Sequence, residues 1–332
     1  MNYTDLIKRA AWLTWRYKVL WILGILLALS GGAGGGGSFN YTFPGNNGGM
    51  GPSMPPAWEM MPDLGVIAGF VLLCCCLLAL LIVVLTIVQY VARTGLYRAV
   101  DQIEDTGVAP TWREGLRLGW SNRALRMFLL DLLVGLVLFI GIMALLLLAV
   151  SPLLLLLFDI DALSIFGGIA TAGLLLLAIL LIVVVSVVVA VLQQFWRRQI
   201  ALEDRSVGEA LALGTGMARR RAGDVAIFWI LMAIIGLVFG LMVFVLAFGL
   251  ALAGLAVGGG LGYAVYALFD SIGWAILAGL PFFLLIVGLP LLLVQGVYLV
   301  FESGAWTLAY RQLRPAAGQD AEILAVAPLP AP

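Results

Sequence analysis

The run LGVIAGFVLLCCCLLALLIVVLTIVQYV, from Leu64 to Val91, decides the fold. It is apolar for longer than the roughly 20 helical residues that cross a hydrocarbon layer of ~30 Å. Three further runs meet the same criterion, namely Met127–Phe158, Phe166–Phe195 and Ile272–Phe301. These four spans predict an all-α integral membrane protein, because only helices and closed barrels satisfy every backbone polar group inside lipid.

The composition supports this fold class. Apolar residues are 63% of the 332 residues and charged residues 11%, whereas soluble domains carry roughly 25% charged residues. The net charge is 0, histidine is absent, and the three cysteines are adjacent at 74–76. Adjacent cysteines on a helix point in different directions and cannot share a metal ion. We therefore expect no nucleic-acid binding, no disulfide framework, no cofactor and no enzymatic activity.

Two segments leave the number of spans open. Val225–Phe269 is apolar throughout, which predicts either one crossing with a Gly-rich re-entrant or interfacial piece, or two crossings. The first span, from about Trp15 to Ser30, is short. Its apolar core, Val19–Leu29, follows a basic leader and also resembles the core of a cleavable signal peptide.

The basic residues favour six crossings. With six, all 18 lie on one side of the membrane, and the opposite loops, 31–63, 159–165 and about 251–271, contain none. The positive-inside rule then predicts a plasma (inner) membrane protein with both termini in the cytoplasm. Two crossings within Val225–Phe269 would move the last two arginines outside. The 18 residues are Lys8, Arg9, Arg16, Lys18, Arg93, Arg98, Arg113, Arg117, Arg123, Arg126, Arg197, Arg198, Arg205, Arg219, Arg220, Arg221, Arg311 and Arg314.

The chain also contains an internal threefold repeat, with copies at 1–100, 110–205 and 206–314. In each copy a capping residue stands three positions before an acid, as in the capping box of a helix N-terminus. The pairs are Asn2 and Asp5, Thr111 and Glu114, and Ser206 and Glu209. The pattern predicts three helical hairpins, each preceded by an amphipathic interfacial helix on the cytoplasmic side, with pseudo-threefold symmetry. The alternative is three ordinary loops with good caps.

Polar residues inside the spans are the candidate site residues. Gln89, Gln193 and Gln295 lie near the inner ends of the even-numbered helices. We expect these amides to face one another, because a buried amide in lipid needs a partner, or alternatively to touch headgroups. Asp131 and Glu302 are the two ionisable groups inside the spans. They predict structural ion pairs with nearby arginines, or a role in coupling protons or ions.

The remaining surface residues predict contacts with lipids. Arg219, Arg220 and Arg221 form a basic cluster that favours anionic lipid at roughly 1 kcal/mol per charge near the surface, or serves only to fix topology. Residues 31–63 are rich in Gly, Pro and Asn and predict a flexible extracytoplasmic loop. The Ala/Pro-rich tail, 315–332, predicts disorder in the cytoplasm.

Three hairpins with WREGLRLGW (residues 112–120) and ALEDRSVGEALALG (residues 201–214) before the third and fifth helices resemble a broad group of prokaryotic multi-pass proteins. The group is similar to the membrane portion attached to some bacterial glycerophosphodiester phosphodiesterases, and the likeness covers residues 1 to about 314. In those enzymes catalysis belongs to a separate soluble barrel with acidic and histidine ligands. This chain has no histidine. The resemblance therefore implies an accessory or membrane-embedding role.

The sequence as a whole predicts a non-enzymatic scaffold or accessory subunit. Its partners are membrane lipids and other membrane proteins or further copies of itself. The alternative function is a transporter or channel component, in which the three glutamines line a polar constriction near the cytoplasmic side.

Overall fold

The structure, a computed structural model, describes residues 2–31, 64–158 and 161–314. Within these ranges the chain is helical and has no strand, which confirms the all-α prediction. The predicted flexible loop lies outside the described residues, apart from Gly31, and so does the predicted disordered tail. The ten α-helices are α1 Tyr3–Arg16, α2 Val19–Leu29, α3 Leu64–Thr106, α4 Trp112–Gly119, α5 Asn122–Val150, α6 Asp161–Glu203, α7 Val207–Arg220, α8 Ala222–Gly254, α9 Gly260–Phe269 and α10 Ile272–Leu313.

In the described part of the chain, five helical runs are long and apolar enough to cross a membrane, or six if the pair α1 and α2 counts as one span. These two helices meet at an angle of 96°. Helix α2 has 11 residues and is therefore ~16 Å long at 1.5 Å per residue, about half of a ~30 Å hydrocarbon layer. The membrane class of the protein is thus confirmed, while the sixth crossing stays a prediction.

The segment 225–269 forms one run, so the alternative of two crossings is wrong. Helix α8 continues through a π-helical turn, Leu255–Gly259, into α9, and the whole run from Ala222 to Phe269 counts as one span. The prediction of a re-entrant piece is also wrong, because α9 packs along α10 instead. Glycines permit this contact: a Cβ added at Gly258 would collide with the backbone carbonyl of Gly279.

The connections between long helices are shorter than predicted. Helix α6 begins at Asp161 rather than near residue 166, after a 3-10 segment, Ser151–Phe158, that follows α5. The predicted loop at 251–271 reduces to Asp270 and Ser271, with Asp270 in the left-handed conformation at φ 48°. Both differences arise because apolar helices continue past the length that a bilayer requires.

The helices pack in a regular order. The antiparallel neighbours α2 and α3, α5 and α6, and α8 and α10 contact each other. The short helices α1, α4 and α7 do not lie on the helices that follow them. Instead α1 packs on α10, α4 on α3 and α7 on α6. Each short helix thus contacts the long helix that ends a neighbouring hairpin.

Two regions of the molecule differ in packing. The charged end consists of α1, α2, α4 and α7 with the adjoining ends of the long helices, and it contains most of the buried side chains, among them Leu6, Leu96, Phe195 and Trp306. The apolar part is the remainder of the long helices. Its side chains are mostly exposed, with Leu147, Leu176 and Leu237 between 67% and 75% accessible.

Ion pairs tie the charged end together and join the first and last described helices, α1 and α10, to α3. Arg9 Nη2 lies 2.7 Å from Glu104 Oε2 on the last turns of α3. Arg311, near the end of α10, pairs with Asp101 and Asp105 of the same helix α3. Arg9 of the first helix and Arg311 of the last helix therefore both pair with the last turns of α3.

Two of the three predicted capping boxes form. At the N-terminus of α4, the Thr111 backbone N–H donates to Glu114 Oε2 at 2.8 Å, and the Glu114 backbone N–H donates to Thr111 Oγ1 at 3.4 Å. Ser206 and Glu209 form the same pair of hydrogen bonds at the N-terminus of α7. Hydrogen bonds from the backbone and hydroxyl of Thr111 lower the pKa of the Glu114 carboxyl. The prediction for α1 is wrong, because the Asn2 side chain donates to the Asp5 carboxylate and caps no backbone N–H.

Candidate functional site

The candidate site is a group of charged and polar side chains where the charged end meets the apolar part. Four helices supply it: α3, α6 and α10 contribute residues three or four positions apart, which share one face of a helix, and α5 contributes one residue. We call it the arginine cluster. Its members are Tyr90, Arg93 and Tyr97 of α3, Asp131 of α5, Gln193, Gln194, Arg197 and Arg198 of α6, and Glu302, Ser303 and Thr307 of α10.

Asp131 joins the first half of the cluster. Its Oδ1 accepts a hydrogen bond from Arg197 Nε at 2.9 Å, and its Oδ2 lies 3.6 Å from Arg93 Nη1. Tyr90 Oη donates to Oδ2 at 3.1 Å. The Asp131 carboxylate therefore forms ion pairs with two guanidinium groups, those of Arg93 and Arg197, which are each less than 10% exposed. Buried charges of this kind require such partners, because a charge removed from water without one is costly.

Arg198 forms the second half of the cluster and is 1% exposed. Its Nη1 donates to Gln194 Oε1 at 2.8 Å and to the Gln194 carbonyl at 2.6 Å. Its Nε and Nη2 donate to Thr307 Oγ1 and the Ser303 carbonyl, both at 3.2 Å. The guanidinium also lies over the Tyr97 ring, 4.5 Å from its centroid. Arg198 thus joins α3, α6 and α10 through neutral partners.

Glu302 differs from the other members of the cluster. No hydrogen bond or ion pair joins it to another described residue, although the three arginines are close enough to act on it electrostatically. It lines a cavity of about 30 Å³ together with Arg93, Arg198 and Ser303. That volume suits a single water molecule, and Ser303, whose buried hydroxyl has no hydrogen-bond partner among the described residues, lines the same cavity.

Glu302 also faces a larger cleft. The cleft has a volume of about 550 Å³ and lies between α6, α8 and α10. Both α6 and α8 pack on α10, but they barely touch each other, so the cleft opens sideways from the bundle. Its polar lining consists of Gln194, Gln295 and Glu302, with aromatic walls from Trp229, Phe239, Tyr298 and Trp306.

The predicted glutamine cluster is not linked by hydrogen bonds. Gln193 accepts a hydrogen bond from Arg197 Nη2 at 3.2 Å, on the side of Asp131. Gln295 lines the cleft, and Gln89 is partly buried on α3. Among the described residues no hydrogen bond joins any two of the three amides. The amide that does contact the central arginine is Gln194, one residue beyond the predicted position.

The predicted basic cluster, Arg219, Arg220 and Arg221, is exposed at the junction of α7 and α8. This placement leaves the guanidinium groups accessible to headgroups, and contact with anionic lipid stays a prediction. Cys74 is partly buried, and Cys75 and Cys76 are exposed in the apolar part. The described residues contain no group of three or more side chains that could hold a metal ion.

Sequence reasoning missed the three buried arginines. It placed Arg93, Arg197 and Arg198 only among the basic residues on the cytoplasmic side of the membrane. A usable signal was present, since Arg93 stands four residues after Gln89 and Arg197 four residues after Gln193. The helices α3 and α6 continue without a break through these positions, so the arginines point into the bundle rather than into a loop.

These features define a class: a multi-pass α-helical membrane protein that is packed at one end around buried arginines. The chain belongs to a family of unknown function, DUF7544, whose model matches residues 9–304. No curated protein and no solved structure gave a match. The family match does not concern glycerophosphodiester phosphodiesterases, so that resemblance stays a prediction.

Proposed function

We propose that the protein is a non-enzymatic scaffold or accessory subunit of the cell membrane, which contacts lipids and other membrane proteins through its apolar part. The observation that carries this proposal is the exposure of the apolar side chains. Leu147, Leu176 and Leu237 lie on three different helices and are each at least 67% accessible. In a membrane such faces contact acyl chains, helices of a partner or a second copy of the chain.

The cavities give further support for lipid contact. A groove of about 670 Å³ lies between α3 and α5 and is lined by Ile87, Trp120, Leu125 and Phe128, with Tyr90 and Asn122 among its polar residues. An apolar groove with aromatic and polar groups near one end matches the shape of an inner-leaflet lipid, whose chain is apolar and whose headgroup is polar. Its position beside the charged end agrees with that depth.

The orientation in the membrane forms part of the proposal. The charged end faces the cytoplasm under the positive-inside rule, so both termini are cytoplasmic. The order of packing, in which α1 lies on α10, α4 on α3 and α7 on α6, supports three hairpins around a pseudo-threefold axis. The motif Thr-x-x-Tyr-Arg, which occurs at Thr94 and again at Thr307, supports the repeat as well.

When the two copies of the Thr-x-x-Tyr-Arg motif are aligned, the residue of the third hairpin that corresponds to Gln89 is not the one first predicted. Gln89 stands five residues before Thr94, and the residue five before Thr307 is Glu302, not Gln295. Gln193 stands five residues before Arg198, which contacts Thr307 directly. In this alignment the third hairpin has a carboxylate, that of Glu302, where the first has the amide of Gln89. The proposed symmetry is therefore not exact at this position.

The experiment must distinguish the scaffold function from the alternative, which is a transport function. Pure protein in liposomes should give no flux of potassium, protons or small polar solutes above that of empty liposomes. In host membranes, a photo-reactive side chain at position 147, 176 or 237 should form a defined protein adduct at one or more sites. Protein-dependent flux that Gln295→Leu abolishes would establish the transporter. Adducts with lipid alone at all three positions would contradict a scaffold for proteins.

A further inference from the structure

We propose that the cleft between α6, α8 and α10 binds a lipophilic organic cation that enters from the bilayer, with Glu302 neutralising its charge. This inference goes beyond a scaffold function and is independent of it. The cleft volume of about 550 Å³ lies within the roughly 300 to 1,000 Å³ typical of sites for drug-sized molecules. Its sideways opening between α6 and α8 gives direct access from the acyl chains.

The charge of the cleft lining selects a cation. Among the described residues that line it, Glu302 is the only one with a formal charge. The arginines of the cluster do not line the cleft, and they bond to other groups: Arg93 and Arg197 to Asp131, and Arg198 to Gln194, Ser303 and Thr307. Among the described residues, the one formal charge that an anionic headgroup would meet in the lining of the cleft is therefore a carboxylate.

The aromatic walls supply the second recognition element. Phe239 and Tyr298 stack in parallel, with centroids 4.0 Å apart and an interplanar angle of 8°. Trp306 is held edge-on by Phe228 at 4.9 Å, and Trp229 completes the wall. Aromatic faces attract organic cations, more strongly where water is excluded, and they also pack against the apolar body of such a ligand. These rings are already fixed by their neighbours.

The remaining polar group in the cleft suits a cation or a hydrogen-bond donor. Gln295 lines the cleft and makes no hydrogen bond with another described residue, so its carbonyl oxygen can accept from an ammonium group. The Gln194 oxygen already accepts from Arg198. The cleft therefore presents one carboxylate, one available amide and several ring faces. This combination fits an amine or quaternary cation with an apolar body of a few rings.

The test uses two probes of equal size and opposite charge, tetraphenylphosphonium and tetraphenylborate. Binding is measured by equilibrium dialysis against the full chain in nanodiscs of zwitterionic lipid, with protein-free nanodiscs subtracted. We expect saturable binding of tetraphenylphosphonium and none of tetraphenylborate. Glu302→Gln should weaken tetraphenylphosphonium at least tenfold. The matched control Glu114→Gln removes the same charge outside the cleft and should leave binding unchanged.

A second variant keeps the test valid if Glu302→Gln fails to fold. Trp229→Leu retains an apolar wall but removes a ring face, and it should weaken tetraphenylphosphonium about threefold or more, as expected for a desolvated cation–π contact. The proposal is overturned if neither probe saturates, or if tetraphenylborate binds as well as tetraphenylphosphonium, which would show an unselective apolar groove. It is also overturned if both cleft variants bind tetraphenylphosphonium as tightly as the natural chain.

Discussion

The charged end and the apolar part of this protein reverse the usual relation between polarity and packing. The charged end is where side chains are buried, from Leu6 through Trp306, and where guanidinium groups are shielded. The apolar part contributes few buried residues. The reason is physical: in lipid, apolar burial between helices gives no hydrophobic driving force, because acyl chains are as apolar as leucine. Tight packing therefore concentrates where water and polar partners exist.

This comparison is tested most strongly by removing the carboxylate shared by two buried arginines. Asp131→Ala should destabilise the protein by about 3 to 5 kcal/mol, the usual cost of breaking a buried ion pair. The matched control is Asp105→Ala, which removes an exposed partner of Arg311 and should cost about 0 to 1 kcal/mol. Unfolding in mixed micelles, followed by circular dichroism, measures both. Equal losses would contradict the burial of charge at this end.

Glycine substitutions should affect the two regions with opposite signs. A Cβ added at Gly119 would collide with the backbone of α3 at Val91, whereas one added at Gly135 in the apolar part meets nothing within 4 Å. Gly119→Ala should therefore cost about 1 to 3 kcal/mol through overpacking. Gly135→Ala should stabilise by up to about 1 kcal/mol through helix propensity. Thermal midpoints compare the two, and destabilisation by Gly135→Ala of the same size would show close packing in the apolar part.

The smallest effect concerns the capping box of α4. The lowered pKa of Glu114 means that its carboxylate favours the folded state at pH values above the ordinary 4.5 of a glutamate, and that this contribution is lost as pH falls through the lowered pKa. Glu114→Gln keeps the hydrogen-bonding shape but not the charge. The gap in thermal midpoint between the two proteins should be constant near neutral pH and shrink below about 4.5. A gap that does not change with pH would contradict a role for the charge.

Much of the fold could be predicted because it follows from local patterns. Apolar length identified the long helices, and the spacing of Thr111 and Glu114 identified a capping box that the structure contains. The same spacing predicted a capping box at Asn2 that does not form. There the Asn2 side chain donates a hydrogen bond directly to the Asp5 carboxylate and caps no backbone N–H. The sequence did not show how far the helices extend past the bilayer, since apolar runs set a minimum length and no maximum.

The arrangement of the site depended on information that periodicity does not contain. Spacing places Gln193 and Arg197 on one face of α6, but it does not say which helix lies opposite. Asp131 was predicted to pair with an arginine, yet the choice of Arg93 and Arg197 depends on how α5 meets α3 and α6. Periodicity likewise does not show that Glu302 lines the cleft between α6, α8 and α10, because that depends on how these helices pack.

The central claim, that most large apolar side chains of the long helices face the lipid while side-chain burial is concentrated at the charged end, is tested most directly by spin labels on the reconstituted protein at a high ratio of lipid to protein. Labels replace Leu147, Leu176 or Leu237 in a variant whose native cysteines are alanine, and collision rates with oxygen and with a water-soluble nickel complex are measured. The account predicts mobile labels with frequent oxygen collisions and few nickel collisions at all three sites. Immobile labels shielded from oxygen would contradict it, because they would show that these three side-chain positions are buried within a single chain.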